Sequence, residues 1–584
     1  MVTLMVSQPT STTVPAQGAA GDAQHSSRRW WALIAIAASV LVVGLDLTVL
    51  SLALPNIAVS LHASTGDLQW FTDAYSLVIA AMILPAGLLG DRYGRKRVLL
   101  VALVLFGAAS ALCAVASSTG ELITARALLG VGASAIFPMS LSVLPTMFAP
   151  EERRKAIAIM SAATMLSFPI GPILGGYLLD HFWWGSVFLI NVPVVVIALV
   201  AVVFLLPESR SANRPSIDVL GVLVSSAGLI AVTYGCIKAG QNGWGNATAL
   251  ATIAVGLILL ALFVLVERRI TARGGQSLVD LALFQSVGFR WGTILVTLLS
   301  FAMFGLFFAL PQYFQDVRGA SSLGSGLRLL PMVVGMVLGM VVGTRLQSVR
   351  GGSEGTPGRS AAGPRAVITA GYLVVAIGLA IGAFTTLSSS TWFTLAWVAV
   401  AGLGFGLVMP SAMNVTLASL TAERNGRAAP TGPRTVVTAG YLLMAAAMVL
   451  GALSAERSGA GSALLTAMRQ VGSTIGVAVL GTIISNAYSS RVASVAAHLP
   501  AQAAAAVRSS VGAGVAAAGK AGSPDLLDTI RSAFVHGMDL MLWTCGGIAV
   551  ACALLAVLFL PRRTQPADTG DVTVDSVPGS LPVA

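Results

Sequence analysis

Charged side chains are scarce in this sequence, and their scarcity excludes an ordinary water-soluble fold. Only 10% of the 584 residues are Asp, Glu, Lys or Arg, whereas 56% are hydrophobic. The mean hydropathy is +0.86, and soluble domains carry about 25% charged residues. The apolar residues form continuous runs and lack the alternation over about ten residues that marks a membrane β-barrel. The sequence therefore predicts an all-α membrane protein.

Cysteine and histidine are equally sparse, which argues against a disulfide framework, a metal centre or a clustered catalytic site. All four cysteines lie in apolar segments, none in a CxxC pair, and the five histidines are scattered. The phosphate-binding pattern GxxxxGK[ST] is absent, so ATP is not expected to drive any activity. We expect no cofactor and no bound metal, and we do not expect an enzyme.

Long apolar runs take up nearly the whole chain. A run of about 18 residues or more can cross a bilayer roughly 30 Å thick as a helix. Fourteen such segments are predicted. They fall at about 30–54, 68–89, 97–117, 121–149, 156–180, 183–207, 216–238, 246–267, 290–312, 322–349, 365–388, 390–419, 459–487 and 535–561.

The basic residues show which way the chain is threaded. Of the 34 lysines and arginines, 24 lie in one alternating set of connections and 6 in the other. Because Lys and Arg near spanning helices are held in the cytoplasm, both termini are expected in the cytoplasm. The protein itself is expected in the cell membrane. The net charge of +11 is spread over many short loops. No basic patch forms, so we expect no nucleic-acid partner.

A thirteen-residue segment, 87–99, concentrates glycine and charge between two apolar runs. Gly87 and Gly94 are expected to permit close packing and a tight turn. An acid beside several cations at the bilayer surface can pair with them and part again when two bundles move. The segment resembles the signature loop of the major facilitator superfamily of transporters; the alternative is a basic loop that only sets topology. The resemblance implies a conformational gate formed by Gly87, Gly90, Asp91, Arg92, Gly94, Arg95, Lys96 and Arg97.

Two ionic residues lie inside apolar segments. Asp46 lies about halfway along the first segment and Arg126 one to two turns inside the fourth. A charge within the bilayer is costly, so each is expected to face a cavity or a partner. Their surroundings resemble motifs of fourteen-spanner drug:proton antiporters, which implies proton coupling by Asp46 and Arg126. The alternatives are a hydrogen-bonded Asp46 that holds helices together and an Arg126 that snorkels to the surface.

The fifth segment combines proline and glycine. Gly171 and Pro172 are followed by Gly175 and Gly176. Proline kinks a helix, and glycines let a neighbouring helix approach closely, which suits a pivot between bundles. The pattern resembles the antiporter motif of drug exporters, although Ser167 stands where that family often has Gly. Export rather than import depends on this resemblance alone.

Other acids and cations in the apolar segments are less informative. Asp73 and Asp539 are interpreted as charges at helix ends rather than as binding groups. Arg469 is expected to snorkel to the cytoplasmic surface. The tenth segment, 322–349, contains no Asp or Glu. Because some exporters of this family hold dications with an acid there, we expect monovalent cations or neutral amphiphiles as substrates.

The resemblance implies two six-helix bundles, at 29–207 and 290–561, joined by two extra membrane helices within 208–289. Residues 1–28 and 562–584 are interpreted as cytoplasmic tails, the first of them disordered. Residues 363–373 are echoed at 432–442, so 425–455 is interpreted as a duplicated accessory helix, re-entrant or interfacial rather than a fifteenth crossing. The connection at 488–534 is expected outside, with a short surface helix near 499–519.

The expected function is export of small amphipathic, often cationic drugs or antibiotics in exchange for protons. The expected partners are the drug-like substrate, protons and membrane lipid, and we expect a monomer. One alternative is a dedicated exporter of a single self-made antibiotic or metabolite. Another is a membrane sensor that binds such compounds but does not transport them.

Overall fold

In a computed structural model of the protein, the described residues are 18–210, 219–272, 287–347, 363–424 and 458–560. All regular elements in these ranges are helical. The accessory segment 425–455 and the C-terminal tail from 562 lie outside the described residues, as does 1–17 of the N-terminal tail.

Seventeen described helices follow one another along the chain. The bounds are α1 Gly18–Ser60, α2 Thr65–Tyr93, α3 Arg95–Val115, α4 Thr119–Met147, α5 Pro150–His181, α6 Ser186–Leu189, α7 Asn191–Leu205, α8 Val219–Asn242, α9 Ala247–Ala272, α10 Val287–Gln312, α11 Ser322–Gln347, α12 Pro364–Gly382, α13 Thr391–Arg424, α14 Ser458–Ala496, α15 Ala501–Ser509, α16 Val511–Ala521 and α17 Pro524–Phe559. A π-helical turn, Tyr313–Val317, extends α10.

Thirteen helical spans among the described residues are long and apolar enough to cross a membrane. A fourteenth is α2, which passes the same test when Thr65–Ile83 and Pro85–Tyr93, bent by 49°, are taken as one span. Proline at the bend removes a backbone hydrogen bond, which explains the kink. The all-α membrane fold is therefore confirmed, and each of the fourteen predicted apolar segments coincides with one of these spans.

The helices pack as two groups with one helical pair beside them. In the first, α2 and α3 pack on α4, while α1 packs on α5 and α7. In the second, α13 packs on α10, α11 and α12, and α17 packs on α12 and α14. The groups meet where α2 faces α14 and where α5 faces α11. The α8–α9 pair lies against both α2 and α14 and shares a separate apolar core with them.

Side-chain caps fix several helix starts. Ser64 accepts a hydrogen bond from the backbone N–H of Asp67, whose carboxylate accepts one from the Ser64 N–H in return. The hydroxyl of Ser118 accepts the N–H of Glu121 at the start of α4, and that of Ser523 accepts the N–H of Leu526 at the start of α17. Each cap satisfies backbone donors that a helix start leaves without partners.

Two expectations from the sequence are corrected. Helix α1 begins at Gly18, so residues 18–28 are helical and not part of a disordered tail; lengthening a helix avoids the cost of nucleating one. The 488–534 connection carries two helices, α15 and α16, not one surface helix. Val507 and Val511 in them are buried, which explains why they pack down onto the protein.

Candidate functional site

Asp46 and Arg126 form an ion pair within the first group of helices. Nη1 of Arg126, on α4, donates to Oδ2 of Asp46, on α1, over 2.5 Å. The side chains are 0% and 1% exposed, respectively. Among the described residues this is the one ion pair in which both partners are fully buried. A buried charge needs such a partner, because the cost of leaving water is several kcal/mol per ion.

Aromatic residues and a backbone carbonyl complete the surroundings of Arg126. Its Nε donates to the carbonyl oxygen of Phe71 over 2.9 Å. Its guanidinium carbon lies 4.4 Å from the ring centre of Tyr75 and 5.8 Å from that of Phe188. Nη2 has no hydrogen-bond partner among the described residues. The cation is therefore held by α1, α2 and α6, with the Nη2 amino group unused.

This geometry decides the structural alternatives for the pair. Snorkelling of Arg126 is excluded because its side chain is 0% exposed and directed at Asp46. Asp46, on α1, accepts a hydrogen bond from α4, which is the arrangement expected if Asp46 holds helices together. Sequence reasoning found both ionic residues but missed Tyr75 and Phe71. A tyrosine in an apolar run carries no signal that it faces an arginine on another helix.

Asp73 and Asp539 were misplaced by sequence reasoning. Asp73 lies two turns inside α2, is 0% exposed, and neither of its carboxylate oxygens has a hydrogen-bond partner among the described residues. Asp539 lies four turns inside α17. Both helices start before the apolar runs used to locate them, because capping serines extend the helices outward.

The surroundings of Arg469 do not match the snorkelling interpretation. Helix α14 begins at Ser458, three turns before Arg469. Its Nε is buried and has no hydrogen-bond partner among the described residues. The predicted run, from residue 459, placed Arg469 correctly along the helix, but burial of its Nε depends on packing that the sequence does not record.

The charged residues of the 87–99 segment lie where α2 meets α3. Asp91 pairs with Arg95 over 2.9 Å, and Arg95 also donates to the carbonyl oxygen of Ser142 on α4. The two helices are separated by Gly94 alone, with φ at +112°. Only glycine adopts that conformation without strain. The predicted acid–cation pairing is therefore present, but nearly all of the expected loop is helix.

Glu208, just after α7, was not anticipated. Its carboxylate accepts from the backbone N–H of Lys96 over 3.1 Å and lies 3.6 Å from Arg97. Arg92 stacks on Tyr93, 5.6 Å from the ring centre.

The glycines of the segment differ in what surrounds them. A Cβ on Gly90 would collide with Met139, whereas a Cβ on Gly87 would meet nothing within 4 Å. The expected close packing at Gly87 is therefore not found.

The fifth-segment motif forms two seams. Cβ atoms at Gly171 and Gly175 would collide with Thr48 and Val49 of α1. On the other side of α5, a Cβ at Gly176 would lie 2.6 Å from Cα of Leu323, on α11. Pro172 presents its carbonyl oxygen to Gly326 of α11. The motif therefore brings α5 against its own group and against the other group.

Ser167 occupies the position where a glycine was expected, and the space is supplied from the opposite helix. A Cβ at Gly44, on α1, would lie 2.8 Å from Cβ of Ser167. Thr48 donates to the carbonyl oxygen of Ser167 over 3.3 Å. Gly44 therefore supplies the small residue that allows close approach of α1 and α5 at this position.

The hydrogen bonds that join described residues of the two groups lie at one end of the molecule. We call the end at Gly94 the loop end and the opposite end, at Ser64, the distal end. At the distal end, Gln69 donates to the carbonyl oxygens of Val477 and Ala478, and Thr65 donates to that of Ser509. No ion pair between the groups is found in the described ranges.

Comparison with known proteins agrees with this architecture. Residues 36–429 match the family model of the Major Facilitator Superfamily. The chain is 32% identical to the tetracenomycin C resistance and export protein of Streptomyces glaucescens, covering 94% of each chain. It is 33% identical to the multidrug efflux pump LfrA of Mycolicibacterium smegmatis, covering 89% of this chain and 94% of that one.

Solved structures share the fold at low sequence identity. A bacterial homologue of the human lysosomal transporter Spinster has a TM-score of 0.60 at 15% identity, over 92% of this chain and 99% of that one. A D-xylose-proton symporter has a TM-score of 0.56 at 14% identity, over 91% and 98%. The chain is a multi-pass transporter, not an enzyme, and it belongs to the major facilitator superfamily.

Proposed function

We propose that the protein exports small amphipathic, often cationic compounds across the cell membrane in exchange for protons. The buried Asp46–Arg126 pair is the observation that carries this proposal. A carboxylate in hydrocarbon changes its cost of burial when it gains a proton, whereas an arginine stays charged. The pair therefore supplies one group that can carry a proton and one fixed cation that opposes it.

The coupling follows from charge balance within the site. When Asp46 takes up a proton, its attraction for Arg126 falls and the guanidinium needs another acceptor. The unused Nη2 donor of Arg126 is free to seek one. One proton moving through 100 mV supplies about 2.3 kcal/mol, which sustains roughly a fifty-fold gradient of a neutral solute.

Substrate class and direction are inferred from relatives and from composition. The similar proteins include an export protein and an efflux pump, and another, SmvA of Salmonella typhimurium, is named for methyl viologen resistance. Helix α11 contains no Asp or Glu, which favours monovalent cations and neutral amphiphiles. We further propose that the loop end faces the cytoplasm together with both termini, and that the protein acts as a monomer.

Efflux in inverted membrane vesicles tests the proposal. A fluorescent monovalent cation should accumulate when a proton gradient is imposed, and Asp46→Asn should abolish that accumulation. Asp525→Asn is the matched control, because Asp525 is an exposed carboxylate in the first turn of α17. Undiminished gradient-driven transport by Asp46→Asn would remove Asp46 from the mechanism. Binding with proton release but no accumulation would favour the sensor.

A dedicated exporter of one antibiotic is the second candidate. It is favoured by relatives named for single compounds, such as the tetracenomycin C protein and a probable actinorhodin transporter of Streptomyces coelicolor. Transport of chemically unrelated cations by the same vesicles would support the multidrug form. Transport confined to one scaffold would support the dedicated form.

A further inference from the structure

We propose that Asp180 is a positioning residue that closes the distal end of the transporter by capping α11 of the other helix group. Asp180 lies in the last turn of α5. Its Oδ1 accepts from the backbone N–H of Ser322 over 2.9 Å, and its Oδ2 accepts from that of Leu323 over 3.2 Å. Both carboxylate oxygens therefore bind donors at the start of a helix on the opposite side of the seam.

The cap is favourable on elementary grounds. The first N–H groups of a helix have no partner within it and lie at the positive end of its dipole. Helix α11 has Ser321 just before it; the Ser321 hydroxyl accepts the N–H of Gly324, and its carbonyl oxygen accepts that of Ser325. The two donors before Gly324 are thus satisfied from the other group. Opening of the distal end must break both bonds at once.

A small polar cluster surrounds the cap. Asn56, on α1, donates to the hydroxyl of Ser322 over 3.1 Å. Gln315, in the π-helical turn, donates to the carbonyl oxygen of Leu52 over 2.9 Å and accepts from Ser322. The bond from Asn56 and the bond to Leu52 also cross between the groups, so Asp180 acts within a larger latch at the distal end.

Close backbone packing beneath the cap sets its geometry. Gly176 lies one turn before Asp180, and a Cβ there would lie 2.9 Å from the carbonyl oxygen of Ser322. Gly326 lies one turn after Ser322 and contacts the carbonyl oxygen of Pro172. Because α5 and α11 touch without intervening side chains, a short aspartate reaches the α11 backbone. The cap and the glycine seam therefore form and separate together.

Distance measurements between the groups test this role. Spin labels at Gly120→Cys and Ser388→Cys report on the distal end, since a Cβ at Gly120 meets nothing within 4 Å and Ser388 is exposed. Labels at Tyr93→Cys and Leu346→Cys report on the loop end, where both residues are exposed. The four native cysteines are buried, and a chain without introduced cysteines measures their background labelling.

Asp180→Ala should raise the ratio of distally open to distally closed molecules about two- to thirty-fold, the range for losing a side-chain helix cap. Asp180→Asn should fall between Ala and wild type, because its amide oxygen keeps one acceptor. Distances at the loop end should shorten as those at the distal end lengthen. Mere loosening of the fold would broaden both distributions and would contradict the proposal.

Asp67→Ala is the matched control, because Asp67 caps α2 at the same end but only within its own helix group. An equal shift by Asp67→Ala, or no shift by Asp180→Ala, would overturn the proposal. The inference rests on the proposed function only in taking distal opening as a step of transport. The distance measurement requires no substrate movement. If export fails but Asp180→Ala still shifts the distances, the result counts against the proposed function and not against the proposed role of Asp180.

Discussion

The guanidinium of Arg126 and the carboxylate of Asp46 are 2.5 Å apart, although 80 residues separate them in the chain. They join α1 to α4, and both side chains are shielded from solvent. Removing one member leaves a charge without its partner, whereas removing both leaves none. The pair can therefore be dissected by single and double substitutions.

Arg126→Gln should destabilise the protein by about 3–5 kcal/mol, the usual cost of breaking a buried pair from one side. The double variant Asp46→Asn with Arg126→Gln should be less destabilised than Arg126→Gln alone. Thermal unfolding in detergent, followed by tryptophan fluorescence, measures both. Additive losses in the double variant would show that the two side chains do not interact energetically.

Tyr75→Leu should weaken the hold on Arg126, because it removes the ring that lies 4.4 Å from the guanidinium. A desolvated cation–π contact is worth about 2 kcal/mol. Tyr75→Phe is the control, since it keeps the ring and loses only a long hydroxyl contact of 3.4 Å to the carbonyl oxygen of Val43. The unfolding temperature and the rate of dye efflux should be near wild type for Tyr75→Phe and lower than wild type for Tyr75→Leu. Equal effects of the two variants would argue against the ring.

Gly94→Ala and Gly87→Ala should behave oppositely although both lie in the 87–99 segment. Alanine at 94 must adopt φ +112° and places a Cβ 2.7 Å from the Glu208 carboxylate. The backbone penalty alone is roughly 1–3 kcal/mol. Alanine at 87 meets open space inside a helix and should stabilise by about 0.5–1 kcal/mol. The order of unfolding temperatures checks this, and a reversed order would contradict the assigned geometry.

Gly176→Ala should separate α5 from α11, since its Cβ would lie 2.6 Å from a backbone atom that cannot rotate away. Overpacking of this kind costs about 1–3 kcal/mol. Gly547→Ala, on α17, is the control because its Cβ meets nothing within 4 Å. The free energies of unfolding of the two variants should differ by that amount. Similar stability would mean that the seam is looser than described.

Sequence reasoning located the spans well because the bilayer imposes a length and an apolar composition on each one. It found Asp46 and Arg126 for the same reason, since ionic groups stand out in apolar runs. It did not determine that the two residues touch. Contact between α1 and α4 depends on how helices pack, and no local pattern records that.

The errors and omissions of sequence reasoning concern helix ends and contacts between helices. Asp73 was assigned to a helix end because the apolar run begins near it, but the capping box at Ser64 starts α2 earlier. Gly87 was interpreted as a packing glycine, although its contacts depend on which face of α2 it occupies. Asp180 gave no signal, because its partners are backbone N–H groups on a helix from the other half of the chain.

Simultaneous recording of solute and proton movement in proteoliposomes tests proton exchange most directly. A gradient of a fluorescent monovalent cation would be imposed, and a pH-sensitive dye in the lumen would report protons. The wild-type protein should move protons opposite to the cation, and Asp46→Asn should move none. Cation movement by the wild-type protein with no change in lumenal pH would contradict proton-coupled export.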